Sequence, residues 1–299
     1  MLREMTVYHN TPDAPSVCIE KSVALALEED LAQIGDLTSQ SLLDSKVRGR
    51  AIIIARQEGV FAGGQVARRV FEKLDPQLSV RLAVSDGDIV KKAERLLTVE
   101  GSVVSILSAE RTVLNFLQRL CGVATLTARF VGRVEGTGAT ILDTRKTTPG
   151  LRLLEKHAVR MGGGKNHRVG LFDMVLIKEN HILAAGGLTN AVRKITDSLS
   201  EKEVQVKIEV EVSNPEQVRE ALRLAIDRVM LDNMSLEQIR EAVNIIDGRI
   251  ETEVSGGVTL ETVRHIAETG VDYISVGALT HSAPALDLSL LLTEGNGSE

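Results

Sequence analysis

Residues 205–279 read QVKIEVEVSNPEQVREALRLAIDRVMLDNMSLEQIREAVNIIDGRIETEVSGGVTLETVRHIAETGVDYISVGAL, and this stretch decides the fold. Short β-rich runs begin at Gln205, Arg228, Ile250 and Tyr273, which are 23, 22 and 23 residues apart. Amphipathic helical patterns fill the intervals, as in PEQVREALRLAI and SLEQIREAVNII. Strand and helix alternating at an even spacing predict repeated βα units on a parallel sheet. Asn214 before Pro215 reads as an N-cap with proline at the first helical position, and Ser235 followed by Gln238 opens the next helix.

Within QVKIEVEV, Ile208, Val210 and Val212 share one face, and Lys207, Glu209 and Glu211 share the other. Strand side chains alternate, so the apolar face packs under helices and the charged face points into a barrel or cleft. A plain doubly wound sheet would be apolar on both faces. Charge on one face therefore favours a barrel whose interior is functional near its mouth.

Upstream, βα units continue through ATILDT from Ala139 and MVLIKE from Met174. Polar residues crowd the strand ends: Asp143-Thr144-Arg145-Lys146, Lys178-Glu179-Asn180, Glu211, Asp232-Asn233, Ser255-Gly256-Gly257 and Gly277-Ala278. Barrel enzymes place their catalytic residues at this edge. Six such ends in succession predict an active site.

Asp143–His181 holds eight Lys or Arg against four acids, and three of the six histidines. The whole chain of 299 residues carries a net charge of −6, so a local positive excess predicts an anionic ligand. Arg152, Lys156 and Arg160 lie on LRLLEKHAVRM and are assigned to a solvated helix face; Arg145, Lys146 and Lys178, at strand ends, are assigned to function. GGGKNHR (162–168) lacks the Ser or Thr of a P-loop and follows a helix. Three glycines exceed what a helix cap needs, so the run reads as a flexible loop presenting His167 and Arg168. Ser255-Gly256-Gly257 and Gly277-Ala278-Leu279 read as a phosphate site, since glycine lets backbone N–H groups approach an anion. Glu211 and Asp232 suit Mg²⁺, acid–base work, or neutralisation of the lysines.

The N-terminal half lacks the βα repeat and reads as an α+β domain to residue 114, followed by a barrel over 115–281, with the tail 282–299 folding back. A long helical stretch runs from Ser102 to Val134, with Gly122 as a break into two helices. The turn Ser85-Asp86-Gly87-Asp88 belongs to lipoyl-like hairpins read as scaffold. The first dozen residues are an extension without an apolar signal core.

Composition narrows the classes. Apolar residues make up 43% and charged residues 25%, as in globular proteins. The acidic balance and 2% aromatic content argue against nucleic-acid binding. Two cysteines fit a reducing compartment, and the reading is a cytoplasmic protein without membrane spans.

Taken together, these runs resemble the quinolinate phosphoribosyltransferase family. The resemblance spans nearly the whole chain, through Gly35-Asp36-Leu37-Thr38-Ser39, Glu110-Arg111-Thr112-Val113-Leu114-Asn115, DTRKTTPG, GGGKNHR, Ile177-Lys178-Glu179-Asn180-His181, EVEV, Leu231-Asp232-Asn233 and SGGVTL. It implies an α/β protein with an N-terminal α+β sandwich and an incomplete (β/α) barrel of about seven strands, the type II phosphoribosyltransferase fold. The implied reaction joins quinolinate and phosphoribosyl pyrophosphate to give nicotinate mononucleotide, pyrophosphate and CO₂ with Mg²⁺.

Carried over, quinolinate binding falls on Arg111, Arg145, Lys146, His167, Arg168 and Lys178, with Thr144 beside them. Glu211 and Asp232 hold Mg²⁺–pyrophosphate through water. The phosphate falls on Ser255, Gly256, Gly257, Gly277, Ala278, Leu279 and His281. Catalysis is assigned to Lys146, Lys178, Glu211 and Asp232. The resemblance further implies a homodimer, or an assembly of dimers, with Arg111 entering the neighbour's site. The competing readings are a paralogous phosphoribosyltransferase with another anionic acceptor, and a non-catalytic barrel that binds a phosphate ligand.

Overall fold

The structure, a computed structural model, describes residues 16–293. The extension read over the first dozen residues lies outside them. The chain divides into two compact units. One holds the described residues up to Ala128, Thr147–Gly163 and those from Leu279 on; the other holds Arg129–Lys146 and Gly164–Ala278. The division within the long helix thus falls after Ala128, not at residue 114.

The first unit contains α1 (Ser16–Leu31), α2 (Leu37–Leu42), β1 (Arg48–Ala55), β2 (Gly59–Val60), α3 (Gly64–Leu74), β3 (Ser79–Leu82), β4 (Ile89–Val90) and β5 (Arg95–Ser102), then most of α4 (Val103–Val134). It ends on β12 (Leu288–Thr293), which pairs antiparallel with β1 and closes a sheet of order β12-β1-β5-β3. In β1 the alternate residues Ala51, Ile53 and Ala55 are fully buried, the period-2 pattern of a sheet with one face in a core. Val66, Ala67, Val70 and Phe71 of α3 bury the matching helical stripe.

Gly122 does not break α4, which is one helix of 32 residues. The glycine serves packing instead: a Cβ there would overlap the Pro284 carbonyl. The Ser85–Asp88 turn also has a specific task. Asp86 accepts from the N–H groups of Gly63 and Gly64 at 3.0 and 2.9 Å, capping α3, and stands 2.7 Å from His157 Nε2 on α5 (Arg152–Met161). Burial pushes the Asp86 carboxyl up, but the His157 and backbone hydrogen bonds outweigh it and leave it below its ordinary value.

The expected solvated face on α5 is not there. Glu155 is 0% and Lys156 1% exposed. Glu155 is buried because Arg119 Nη2 reaches its Oε1 at 2.7 Å and the Thr148 hydroxyl donates to the same oxygen at 2.7 Å.

The second unit carries β6 (Thr140–Leu142), β7 (Val175–Ile177), α6 (Glu179–Ala185), α7 (Leu188–Glu201), β8 (Ile208–Val212), α8 (Pro215–Ala221), β9 (Arg228–Asp232), α9 (Leu236–Ile246), β10 (Glu251–Ser255), α10 (Val263–Ala267) and β11 (Tyr273–Ser275). α11 (Ala278–His281) is a single turn after β11. The six strands form one parallel sheet of order β6-β11-β10-β9-β8-β7. Six strands pair where about seven were expected. Beside β6, Lys165 makes only an isolated parallel bridge to Leu142, because the glycine run before it supplies no strand.

Asn214 and Ser235 cap α8 and α9 as read from the sequence, Ser235 in a capping box with Gln238. Val210, Val229, Leu231 and Val254 bury the helix-facing side of the sheet. The opposite side carries Glu209, Glu211, Arg228, Asp232, Glu253 and Ser255.

Candidate active site

All six strands are parallel, so their C-terminal ends meet along one edge. Arg145 and Lys146 follow β6, Lys178 follows β7, Glu211 and Asp232 lie near the ends of β8 and β9, and Ser255 ends β10 with Gly256-Gly257 after it. Gly277 and Ala278 follow β11. Arg111 is exposed on α4 in the first unit, and it makes no ion pair among the described residues. Leu279 and His281 also belong to the first unit, where His281 Nδ1 lies 2.6 Å from the Ser282 hydroxyl.

Each strand-end side chain is aimed by its neighbours. Thr144 Oγ1 accepts from the Lys146 N–H at 3.0 Å, which tightens the turn after β6. Lys178 is the N-cap of α6, a helix not foreseen in the sequence, and its N–H donates to His181 Nδ1 at 3.0 Å. Its Nζ reaches Glu211 Oε2 at 3.0 Å. Asn233 Nδ2 donates to Asp232 Oδ2 at 2.7 Å, while the Asn233 N–H donates to the Ser255 carbonyl at 3.0 Å. Gly256 and Gly257 have φ of +96° and +62°, the left-handed region that glycine enters without strain. A Cβ on Gly256 would overlap the Asn233 side chain, whereas the space around Gly257 is open.

The glycine run 162–164 is held at both ends. A Cβ on Gly162 would overlap the Ala124 carbonyl, and the Lys165 N–H donates to the Ile141 carbonyl at 2.9 Å. Asp143, fully buried, accepts from the His167 N–H at 2.8 Å and from Asn166 Nδ2 at 2.7 Å. His167 is itself buried, with Nδ1 accepting from the Arg168 N–H at 2.7 Å and Nε2 donating to Glu209 Oε2 at 3.0 Å. Arg168 Nη1 donates to the Met174 carbonyl at 3.1 Å. Burial and the neighbouring Arg145 hold the Arg168 guanidinium below its ordinary value. Two guanidinium groups that repel each other at one edge have the chemistry to receive a compact anion.

Beneath them lies a charged group that the sequence reading did not assign. Glu209 and Glu253 are 0% exposed, and Arg228 Nη1 donates to Glu253 Oε2 at 2.9 Å. Burial pushes both carboxyls up to about 7 in spite of Arg228. The signal was present in strand parity: Glu209 shares a face with Glu211, and Glu253 with Ser255.

Two donor sets bear on metal binding. His167, Glu209 and Glu253 bring ligand atoms within 4.8 Å of one another, but the Arg228 guanidinium already neutralises that set from one side. Glu211 and Asp232 offer hard oxygen donors on neighbouring strands at the open edge, a set that fits Mg²⁺ completed by water and phosphate oxygens.

Comparison with known proteins places nearly the whole chain among relatives. Residues 36–121 match the family model of the quinolinate phosphoribosyl transferase N-terminal domain, and residues 123–291 match that of its C-terminal domain. A quinolinate phosphoribosyltransferase [decarboxylating] of Nicotiana tabacum is 45% identical over 294 residues, covering 93% of this chain and 83% of that one. A probable nicotinate-nucleotide pyrophosphorylase [carboxylating] of Bacillus subtilis is 44% identical over 264 residues, covering 88% and 90%. The solved structure of the nicotinate-nucleotide pyrophosphorylase from Francisella tularensis superimposes with a TM-score of 0.88 at 42% identity, covering 94% of this chain and 98% of that one. With both domain models matched in order, and relatives this similar along nearly its full length, the chain belongs to the quinolinate phosphoribosyltransferase family.

Proposed function

We propose that the strand-end edge of the second unit carries out the family's reaction: transfer of a phosphoribosyl group from phosphoribosyl pyrophosphate to the ring nitrogen of quinolinate, with loss of the adjacent carboxylate as CO₂. The observation that carries this reading is the convergence, on one edge of one parallel sheet, of Arg145, Lys146, Lys178, Glu211, Asp232 and the Gly256-Gly257 turn. Cations for a dianion, carboxylates for a metal–pyrophosphate and backbone for a phosphate are the three things the reaction needs.

Arg145 and Arg168 grip the two carboxylates of quinolinate, since a planar forked donor matches a carboxylate. His167 holds the Arg168 backbone. Lys146 and Lys178 neutralise charge as pyrophosphate departs from the ribose carbon. Glu211 and Asp232 hold Mg²⁺, which supplies Lewis-acid stabilisation of the leaving pyrophosphate. Ser255–Gly257 and Gly277-Ala278, with Thr144 at the margin, offer backbone N–H and side-chain donors to phosphate. Once ribosylated, the ring nitrogen is cationic, and it stabilises the electron pair left on the adjacent carbon when CO₂ leaves. A proton from solvent then completes nicotinate mononucleotide.

The active assembly in this reading is a homodimer in which Arg111 serves the neighbour's site. Its support is the family resemblance, and an exposed arginine on α4 without an ion pair among the described residues. Cys18 and Cys121 are free thiols, which supports a reducing compartment such as the cytoplasm. Among the described residues no helix is long and apolar enough to cross a membrane.

The test is product formation. The purified chain, given quinolinate, phosphoribosyl pyrophosphate and Mg²⁺, should yield nicotinate mononucleotide, pyrophosphate and CO₂ in equal amounts. Failure to consume either substrate refutes the reading.

A further inference from the structure

We propose that Glu209, Glu253 and Arg228 are positioning residues for Arg168, acting through the His167 ring, and that they set affinity for the dianionic acceptor without touching it. The inference rests on the reading of Arg168 as an acceptor-binding residue. Four charged or titratable side chains are buried together here: His167 at 7%, Glu209 at 0%, Glu253 at 0% and Arg228 at 8% exposure. A buried set of this kind is costly to desolvate and is a weak source of stability, so its position calls for another reason.

Both nitrogens of His167 are engaged. Nδ1 accepts from the Arg168 N–H at 2.7 Å and therefore carries no proton. The ring proton is then on Nε2, which faces Glu209 Oε2 at 3.0 Å and Glu253 Oε2 at 3.5 Å. The Glu pair thus fixes both the tautomer and the plane of the ring, and the ring fixes the peptide from which Arg168 projects. Asp143 holds the same peptide run from the other end through the His167 N–H at 2.8 Å.

The carboxylates are anchored in turn. Arg228 Nη1 bonds Glu253 at 2.9 Å, its Nε and Nη2 bond Glu251 Oε2 at 3.1 and 2.9 Å, and its guanidinium lies 4.0 Å from the centre of the Tyr273 ring. Strand register makes this possible, because Arg228 lies opposite Glu209 on one side and Glu251 on the other. Lys178, Glu211 and Asp232 take no part in these bonds. A defect in the buried group should consequently reach the acceptor and spare phosphoribosyl pyrophosphate.

The experiment compares Glu209→Leu, which removes the acceptor for Nε2–H, with Glu209→Gln, whose amide oxygen can still accept it. Glu209→Leu should raise the quinolinate Kd about 10–100-fold, the range seen when a metal-binding histidine loses the carboxylate that orients it. Glu209→Gln should recover most of that loss, and Kd for phosphoribosyl pyrophosphate should stay within about twofold of wild type in both. If Glu209→Leu does not fold, Glu209→Ala is measured in its place and should show the same selective loss, again recovered by Glu209→Gln. In wild-type protein, the imidazole nitrogen resonances of His167, assigned by their disappearance in His167→Asn, should show a proton on Nε2 alone.

A proton on Nδ1 would overturn the proposal. So would an unchanged quinolinate Kd in folded Glu209→Leu or Glu209→Ala, or an equal loss for both substrates, which is what a merely structural role produces. Failure of wild-type protein to use quinolinate would refute the proposed function instead, while the His167 nitrogen signals would still report on the clamp.

Discussion

Lys178 Nζ stands 3.0 Å from Glu211 Oε2, between the ends of the neighbouring strands β7 and β8. The lysine side chain is 50% exposed and the glutamate 16%, so this is a surface ion pair, of a kind that contributes about 0–1 kcal/mol to stability. Its meaning is chemical. In the proposed reaction one member is a cation for the departing pyrophosphate, and the other is a carboxylate that would hold the metal.

Removing these groups should therefore harm turnover far more than folding. Lys178→Met, Glu211→Ala and Asp232→Ala should each lower kcat by about 10²–10³-fold, as loss of one transition-state contact does, with thermal midpoints close to wild type. The KM for phosphoribosyl pyrophosphate should rise in Glu211→Ala and Asp232→Ala, while quinolinate Kd stays nearly constant. EDTA should abolish turnover and added Mg²⁺ restore it. Full activity in EDTA would assign the carboxylates another role.

The two glycines after β10 should respond differently to the same substitution. Gly257→Ala has open space for its Cβ and bears only the cost of a left-handed residue, about 1–2 kcal/mol, so it should fold. Its methyl would enter the volume assigned to phosphate, and calorimetry should show weaker binding of nicotinate mononucleotide. Gly256→Ala collides with Asn233, the residue that bonds Asp232, so Mg²⁺ affinity should fall along with phosphate affinity. Unchanged nucleotide affinity in folded Gly257→Ala would reject the phosphate site.

Much of this architecture was legible in the sequence, because local rules decide it. The 23-residue spacing gave parallel βα units, the alternation in residues 207–212 gave a charged face, and Asn214-Pro215 and Ser235 gave helix starts. What was not legible depends on which elements meet. Gly122 reads locally as a helix break, and only the fold brings Pro284 against it. Lys156 belonged by pattern to a wet face, yet α5 is covered on that side. Arg228 and Glu253 lie 25 residues apart in sequence, and only the register of β9 with β10 brings them together.

Sharing of the site between subunits can be tested by complementation. Arg111→Ala and Lys178→Ala should each be nearly inactive. When the two are unfolded together and reassembled, half of the dimers are mixed, and each mixed dimer has one intact site of two. About a quarter of wild-type activity should return. No recovery from a sample shown to contain mixed dimers would place Arg111 in its own subunit's chemistry.

Asp86 gives the first unit a pH dependence of definite sign. Its carboxyl lies below the ordinary value of 3.8 in the folded chain, so the stability it supplies is fully present above that value. It is lost as pH falls through the lower folded value. Asp86→Asn should be less stable than wild type at pH 7, by about 1.5–3 kcal/mol for charge-assisted hydrogen bonds, and the difference should shrink below pH 4. Urea unfolding at several pH values checks this; a gap that widens in acid would contradict the assignment.

In the proposed reaction this edge recognises a dicarboxylate and removes one of its carboxyl groups. The most direct measurement compares kcat/KM for quinolinate and for nicotinate at fixed phosphoribosyl pyrophosphate, with CO₂ collected. A cation left unpaired by the missing carboxylate costs about 2–5 kcal/mol, so quinolinate should be preferred roughly thirtyfold or more, with one CO₂ released per turnover. Equal efficiency with nicotinate, or nucleotide formed from quinolinate without CO₂, would contradict the account.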